Sequence, residues 1–284
     1  MQLELLTELI SILELQDKEI EMAALFFDID DTLISGLTEE IPESAKEALR
    51  KVKEQGHQIF INTGRTICSI PAMIRNLDFD GLLCGCGTYL FYKNEVLMES
   101  HIPYERGRAY IEAMEDCRME GFLEGTEDIY FADRVSRFEP IESTRRYMAS
   151  MGLGREKAIE KKNFQYDKIL VLTDDHCEKE RFFSCIREGM EIIDRGGGMY
   201  ECIQKGYSKA TAIEYMRQHL GISTEEIYVF GDSSNDLSMF EYAKHAVAMG
   251  KHDPALDPYT EYVTDTVEND GIYKAMVHYG LIRK

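Results

Sequence analysis

The sequence is poor in positive charge. Lysine and arginine together number 32 of its 284 residues, against 52 aspartates and glutamates, for a formal net charge of −20. A nucleic-acid binder carries a basic face, and no Lys/Arg-rich stretch is present, so no nucleic-acid partner is expected. Adhesion to an anionic membrane is disfavoured on the same ground. Any phosphorylated substrate would need a local cationic site, because the overall field repels it. Cysteine occurs seven times but never as CxxC, and Cys84 and Cys86 stand only two apart. The paired Cys/His spacing of a zinc site is missing, and free thiols in a reducing cytoplasm are expected. Long hydrophobic runs are missing too. The Leu/Ile-rich N-terminus is broken by Glu4, Glu8 and Glu14. It lacks the basic head and unbroken apolar segment of a signal peptide, and it is too short and too charged to span a bilayer. Residues 1–22 read instead as an amphipathic helical extension. No fixed-period repeat and no low-complexity segment is found.

What is present is organised around Ala23–Ile34, AALFFDIDDTLI. A short apolar run ends abruptly in Asp28, Asp30 and Asp31, with Thr32 following. Such a run suits a strand buried on both faces. Carboxylates at its carboxyl end sit where open α/β sheets bind ligands. Buried together they need compensation, which a metal ion commonly supplies. An ordinary acidic turn is the plainer alternative.

The order after this strand is helix Ile41–Gln55, strand Gln58–Asn62, helix Ile67–Leu77 and strand Gly81–Cys84, the rhythm of a parallel sheet with right-handed crossovers. A hairpin over Tyr89–Phe91 and Val96–Met98 then breaks it, with Lys93-Asn94 as the turn. Helices are expected over Tyr104–Glu120, Glu139–Met151 and Cys177–Glu188, and strands over Ile129–Ala132, Lys168–Leu172 and Glu191–Asp194. Gly196-Gly197-Gly198 reads as a hinge or linker. The first rhythm returns with strand Met199–Ile203, helix Lys209–Leu220 capped by Ser208, and strand Ile227–Phe230. Helix Leu237–Ala243, the apolar Ala246–Met249, a last strand Tyr262–Thr264 and a closing helix Gly271–Tyr279 follow. The expected organisation is a Rossmann-like α/β core over 23–91 and 197–284, with an α+β module inserted over 92–196. Tyr130 and Phe131 in that module are either pocket lining or core.

Four clusters stand at strand ends or at a helix start: Asp28–Thr32, Thr63-Gly64-Arg65, Lys209, and Gly231-Asp232-Ser233-Ser234-Asn235-Asp236. They offer carboxylates for a divalent cation, hydroxyl and amide donors for phosphate oxygens, and one ammonium. Phosphoryl transfer asks for this inventory, since the protein must chiefly position the group and neutralise its charge.

On these residues the sequence resembles the haloacid dehalogenase-like phosphatases, in their Cof-type branch with a large α+β cap. Asp28, Asp30 and Thr32 match the DxDxT motif, Thr63 the Thr of TGR, Gly206-Tyr207-Ser208-Lys209 the GxSK turn, and Gly231, Asp232, Asn235 and Asp236 the GDxxND motif. The resemblance spans about Ala23 to Ile282. It implies that Asp28 is the nucleophile of an aspartyl-phosphate intermediate and that Asp30 is the acid and base. It implies Mg²⁺ held by the Asp28 carboxylate, the Asp30 carbonyl and Asp232. Thr63, with Gly64 beside it, and Lys209 would hold phosphate oxygens, Asn235 would bond near them, and Asp236 would support Lys209 or the metal's water. The substrate implied is a small-molecule phosphate ester, a sugar phosphate above all. A phosphosugar mutase or phosphotransferase, and a regulatory binding protein that retains the fold, are the alternatives. Asp31, Cys86-Gly87 and Ala210 depart from the family's Gly, Asn-Gly and Gly. Arg65 is either a site residue or a scaffold ion pair, and Arg195 is expected to face the site.

Overall fold

The structure, a computed structural model, describes residues 22–283, so the expected N-terminal helix lies outside the described residues. In chain order the strands are β1 (Ala24–Phe27), β2 (Gln58–Asn62), β3 (Gly81–Cys84), β4 (Tyr89–Tyr92) and β5 (Glu95–Glu99). Then come β6 (Glu120–Glu124), β7 (Ile129–Phe131), β8 (Lys168–Leu172), β9 (Met190–Asp194) and β10 (Met199–Gln204). The chain closes with β11 (Ile227–Gly231), β12 (His245–Ala248) and β13 (Tyr262–Val263). They form two sheets. The larger runs β13-β12-β11-β1-β2-β3-β4-β5 and the smaller β7-β6-β8-β10-β9.

In the larger sheet β1 pairs in parallel with both β11 and β2. Its four residues are fully buried, with Leu25 and Phe27 in one apolar layer and Ala24 and Phe26 in the other. Phe26 stacks on Phe60 at 4.9 Å and Phe27 on Phe230 at 4.4 Å. Each fully buried Phe contributes roughly 1.5–3 kcal/mol, which anchors β1 at the centre of the sheet. The chain leaves β1 towards β2 on one side and returns through β11 on the other. The carboxyl ends of β1 and β11 therefore mark the topological switch point, the place where open α/β sheets form a crevice. Among the described residues the first six α-helices are α1 (Glu43–Glu54), α2 (Ala72–Arg75), α3 (Tyr104–Asp116), α4 (Glu139–Ser150), α5 (Lys179–Ile186) and α6 (Lys209–Leu220). α6 opens on Ser208, whose side chain accepts the Thr211 amide in a capping box, so Lys209 is held at the first helical position.

The smaller sheet is antiparallel throughout. Its Leu123, Ile169, Val171 and Cys202 face α3 and α5 in one core. The opposite face carries Lys168, Leu170 and Glu201 and turns towards the crevice.

Several expectations need correction. The insertion does not run over 92–196. β5 belongs to the larger sheet, pairing back on β4 through the Lys93-Asn94 turn. β10 belongs to the smaller sheet, between β8 and β9, rather than to the core. Gly196-Gly197-Gly198 is therefore no hinge between the two parts but the β9–β10 hairpin turn. All three adopt positive φ, 79°, 60° and 79°, which only glycine takes without strain. The expected helix Ile67–Leu77 is split into a 3₁₀ turn, Ile67–Ser69, and α2, because Pro71 forces Ile70 into extended conformation. The helix from Tyr104 stops at Asp116, and Glu120–Glu124 is a strand that the sequence reading missed. Gly121 sits where a Cβ would lie 1.9 Å from the Leu170 carbonyl, a close approach that a helix reading hides. Tyr130 and Phe131 are both buried and are core residues. The seven cysteines are free thiols. Among the described residues no helix is long and apolar enough to cross a membrane.

Candidate active site

Asp28 follows β1 directly. Its amide donates to the Phe230 carbonyl at 3.0 Å, which continues the ladder one residue further and plants its side chain at the switch point. The chain then turns tightly. Asp31 adopts φ 54°, the left-handed conformation that suits the family's Gly and that Asp tolerates. Its Oδ1 accepts the Gly36 amide at 3.0 Å, and a Cβ at Gly36 would lie 2.5 Å from that oxygen. The departure from Gly is thus accommodated by a local turn bond. Cys86, also departing, sits at φ 55° and is buried.

Beneath Asp28 lies Lys209. It is 1% exposed, and its ammonium is 2.6 Å from Asp28 Oδ1 and 2.5 Å from Asp236 Oδ1. Asp236 uses its other oxygen to accept the amides of Asp232 and Ser233, at 2.9 and 3.0 Å. It is 0% exposed, so one carboxylate holds both the lysine and the turn that carries Asp232. Asn235 Oδ1 accepts the Ser233 hydroxyl at 2.8 Å. This orients the Asn235 side chain and leaves its amide protons for another partner.

The electrostatics of this cluster are unbalanced. Asp28, Asp232 and Asp236 bring carboxylate oxygens within 4.8 Å of one another, and one ammonium faces them. Burial raises the Asp28 carboxyl above its ordinary value. Lys209 opposes this, while Asp236 and Asp30 add to it. Asp232 is pushed up to about 8 by burial, then by Asp236 and Asp28. Lys209 is held protonated by its two carboxylates against the cost of burial. Asp236 has both oxygens occupied. Asp28 Oδ2 has no partner among the described residues, and Asp232 receives only a 3.3 Å bond from the Thr32 hydroxyl on Oδ1. The two acids with spare oxygens are therefore the ones whose charge is least compensated. An oxygen-seeking divalent cation fits that donor set.

A cleft of about 320 Å³ opens over these groups. It is lined by Asp28, Asp30, Asp31, Thr63, Gly64, Arg65, Asp232, Ser233 and Asn235 from the core side, and by Glu124, Lys168, Arg195 and Glu201 from the insertion. Every site residue expected from sequence is there or, like Lys209 and Asp236, directly underneath it. Arg65 binds the Asp30 carboxylate bidentately, at 2.8 Å on each oxygen, and its guanidinium lies 5.7 Å from the Tyr147 ring centre on α4. Arg65 is thus both a lining residue and half of an ion pair. Arg195 reaches the cleft from the end of β9, 3.8 Å from Glu201.

Sequence reasoning missed Glu124, Lys168 and Glu201. The available signal was Glu201, a charged residue inside the strand expected over Met199–Ile203; Lys168 only opens KILVL, and Glu124 lies outside every strand expected from sequence. A second cavity of about 300 Å³ lies within the insertion, but Arg118, Arg134, Arg137 and Arg145 on its wall are each paired with an acid.

The profile of the haloacid dehalogenase-like hydrolases matches residues 25–276. The chain belongs to that family. It is an enzyme of the Cof-type phosphatase branch. Among its relatives is a Streptococcus pyogenes protein named "Putative bifunctional phosphatase/peptidyl-prolyl cis-trans isomerase", 29% identical over 280 residues. The match takes in 96% of this chain and 56% of that protein, so the chain spans little more than half the relative's length. A Bacillus subtilis protein, "Putative phosphatase YkrA", is 28% identical over 262 residues, covering 91% of this chain and 98% of the relative. The solved HAD subclass IIB sugar phosphatase BT4131 superposes with a TM-score of 0.77 at 30% identity, covering 92% of this chain and all of the other.

Proposed function

We propose that the protein is a Mg²⁺-dependent phosphomonoesterase acting on small phosphorylated metabolites, sugar phosphates above all, by way of an aspartyl-phosphate. The observation that carries this reading is the free Oδ2 of Asp28 beside the under-compensated Asp232, both opening on the cleft. Asp28 attacks phosphorus, the ester P–O bond breaks, and Asp30 gives its proton to the departing alkoxide. Water then attacks the same phosphorus, its proton passes to Asp30, and the P–O bond to Asp28 breaks with release of phosphate. Arg65 holds Asp30 in place, and one of its two bonds is given up when Asp30 is protonated. Thr63 and Asn235 donate to phosphate oxygens from the cleft wall. Lys209, with two of its three protons committed, has one left for the phosphoryl group. Mg²⁺ would be held by Asp28, the Asp30 carbonyl and Asp232, and supplies the positive charge that lets a carboxylate approach a phosphate. The Asp30 side chain is 55% exposed, which leaves water access to the site and supports hydrolysis over transfer to a second sugar. Inorganic phosphate release from a panel of phosphorylated metabolites, with MgCl₂ and with EDTA, tests the reading. Activity that EDTA abolishes is expected. A product that keeps its phosphate would assign a mutase or phosphotransferase instead.

Metal binding is expected to depend on pH in a definite sense. The Asp232 carboxyl is raised to about 8 from an ordinary 3.8, and that of Asp28 is raised as well. The folded state then holds protons that the unfolded chain has lost, so these groups contribute less stability as pH climbs from about 4 to about 8. A divalent cation competes with those protons and replaces their effect once they are gone. The gain in Tm from saturating MgCl₂ over EDTA is therefore expected to be larger at about pH 9 than at about pH 6. An equal gain at both would show that the buried carboxylates are not the metal's ligands.

A further inference from the structure

Lys168 is a buried cation for which the proposed chemistry has no use. It stands on β8 in register with Glu124 on β6, and its ammonium is 2.9 Å from Glu124 Oε1 and 2.8 Å from Glu201 Oε1 on β10. The third bond leaves the insertion altogether. Lys168 Nζ donates to the Gly64 carbonyl at 2.8 Å, in the loop that carries Thr63. An ammonium has three protons, and all three are placed. Lys168 therefore has no donor left for a substrate oxygen, and its side chain is only 6% exposed.

The Gly64 carbonyl and the Arg65 amide belong to one planar peptide group, so fixing the carbonyl fixes the direction of the N–H. That N–H donates to Thr63 Oγ1 at 3.2 Å. With a donor placed on its oxygen, the Thr63 hydroxyl has its own proton free to donate elsewhere. The loop is made for this contact. A Cβ on Gly64 would lie 3.3 Å from Glu201 Oε1 and 3.4 Å from Cys86 Sγ. Two further contacts join the same segment to the insertion: the Cys68 thiol donates to the Gly125 carbonyl at 3.2 Å, and Arg65 lies over Tyr147. Two carboxylates and one ammonium have been taken out of water where the two sheets meet, which is tolerable only with full hydrogen bonding. The Gly64 carbonyl completes that set.

We propose that Lys168 is a positioning residue: seating the insertion on the core makes its ammonium lock the Gly64–Arg65 peptide, which aims the Thr63 hydroxyl at the phosphoryl group. The aim at a phosphoryl group rests on the phosphatase reading; the lock itself does not. Closure of the insertion and readiness of the phosphate loop are then one event, sensed through a single lysine.

Lys168→Met alone strands two buried carboxylates and can unfold the insertion, so the deciding variant is Lys168→Met/Glu124→Gln/Glu201→Gln, which removes the three charges together. Two measurements apply to it and to the wild-type chain: amide hydrogen exchange at Arg65 without ligand, and inhibition of phosphate release by inorganic vanadate with Mg²⁺ present. Vanadate has no leaving group and reports on the phosphoryl side only. Exchange at Arg65 is expected to quicken, and vanadate inhibition to weaken, each by about tenfold or more. Unchanged exchange and unchanged inhibition, with losses confined to bulky esters, would overturn the proposal and make the triad a reader of the leaving group. A wild-type chain that releases no phosphate from any ester, with exchange still faster in the variant, would sink the phosphatase reading and leave the lock standing.

Discussion

Asp28→Asn is expected to lower kcat for phosphate release by about 10⁴-fold or more, because an amide cannot form the acyl phosphate and removal of a nucleophile costs that order of rate. The same change is expected to leave the metal-free fold as stable as the wild type, or more so. Asp28 is buried and near two other carboxylates, and its ionised form is disfavoured in the fold despite Lys209. Asn is nearly the same size and keeps an acceptor for the Lys209 ammonium, which retains Asp236 in any case. The uncompensated charge is what disappears. Phosphate release together with a melting curve in EDTA checks both halves. Turnover at the wild-type rate would remove Asp28 from the role of nucleophile. A clearly lower Tm would mean that the Asp28–Lys209 pair outweighs the cost of burying the acid.

Much of the core was legible because its signals are local. AALFF ahead of Asp28, QIFIN ahead of Thr63 and IYVF ahead of Gly231 are short apolar runs that end in polar residues. Strands buried on both faces give that pattern, and each run's polar end falls at the switch point. Ser208 ahead of Lys209 was readable as a cap for the same reason. The insertion was less legible because its order is set by long-range pairing. β6 lies against β8, some 45 residues on, and its sequence EGFLE has a glycine in the middle and acids at both ends. Local propensity gives no sign of a strand there. What makes it one is the close approach of Leu170 to Gly121 and the pairing of Glu124 with Lys168, both of which depend on β8 being in place. The same holds for the insertion's side of the site. Lys168 reads as the ordinary polar start of KILVL until Gly64 and Glu201 are set beside it. Asp31 departs from the family's Gly already in the sequence, but how the turn accommodates it becomes visible only in its positive φ and its bond to Gly36.

Lys209→Met is expected to be the most damaging single change to stability. Methionine fills nearly the same space, so the loss is almost wholly electrostatic. Among the described residues Lys209 is the one cation in contact with Asp28 and Asp236, and removing one partner of a buried ion pair costs about 3–5 kcal/mol. For a chain of this size that corresponds to a Tm lower by roughly 10 °C. The effect should spread beyond the lysine, because Asp236 also holds the amides of Asp232 and Ser233 and so shapes the second half of the proposed metal site. Two rescues are expected. Lys209→Met/Asp236→Asn removes a stranded charge and should recover part of the Tm. Saturating Mg²⁺ should recover part as well, since it brings positive charge to Asp28 and Asp232, and this gain should exceed that of the wild type. Activity should stay low in both cases, because neither restores the donor aimed at the phosphoryl group, a loss of about 10²–10³ in kcat. Melting curves of the single and double variants, with EDTA and with MgCl₂, decide the matter. A single variant that melts with the wild type would show that Asp28 and Asp236 are already neutral in the fold. The carboxylate web around Lys209 would then be held by shared protons rather than by the ammonium.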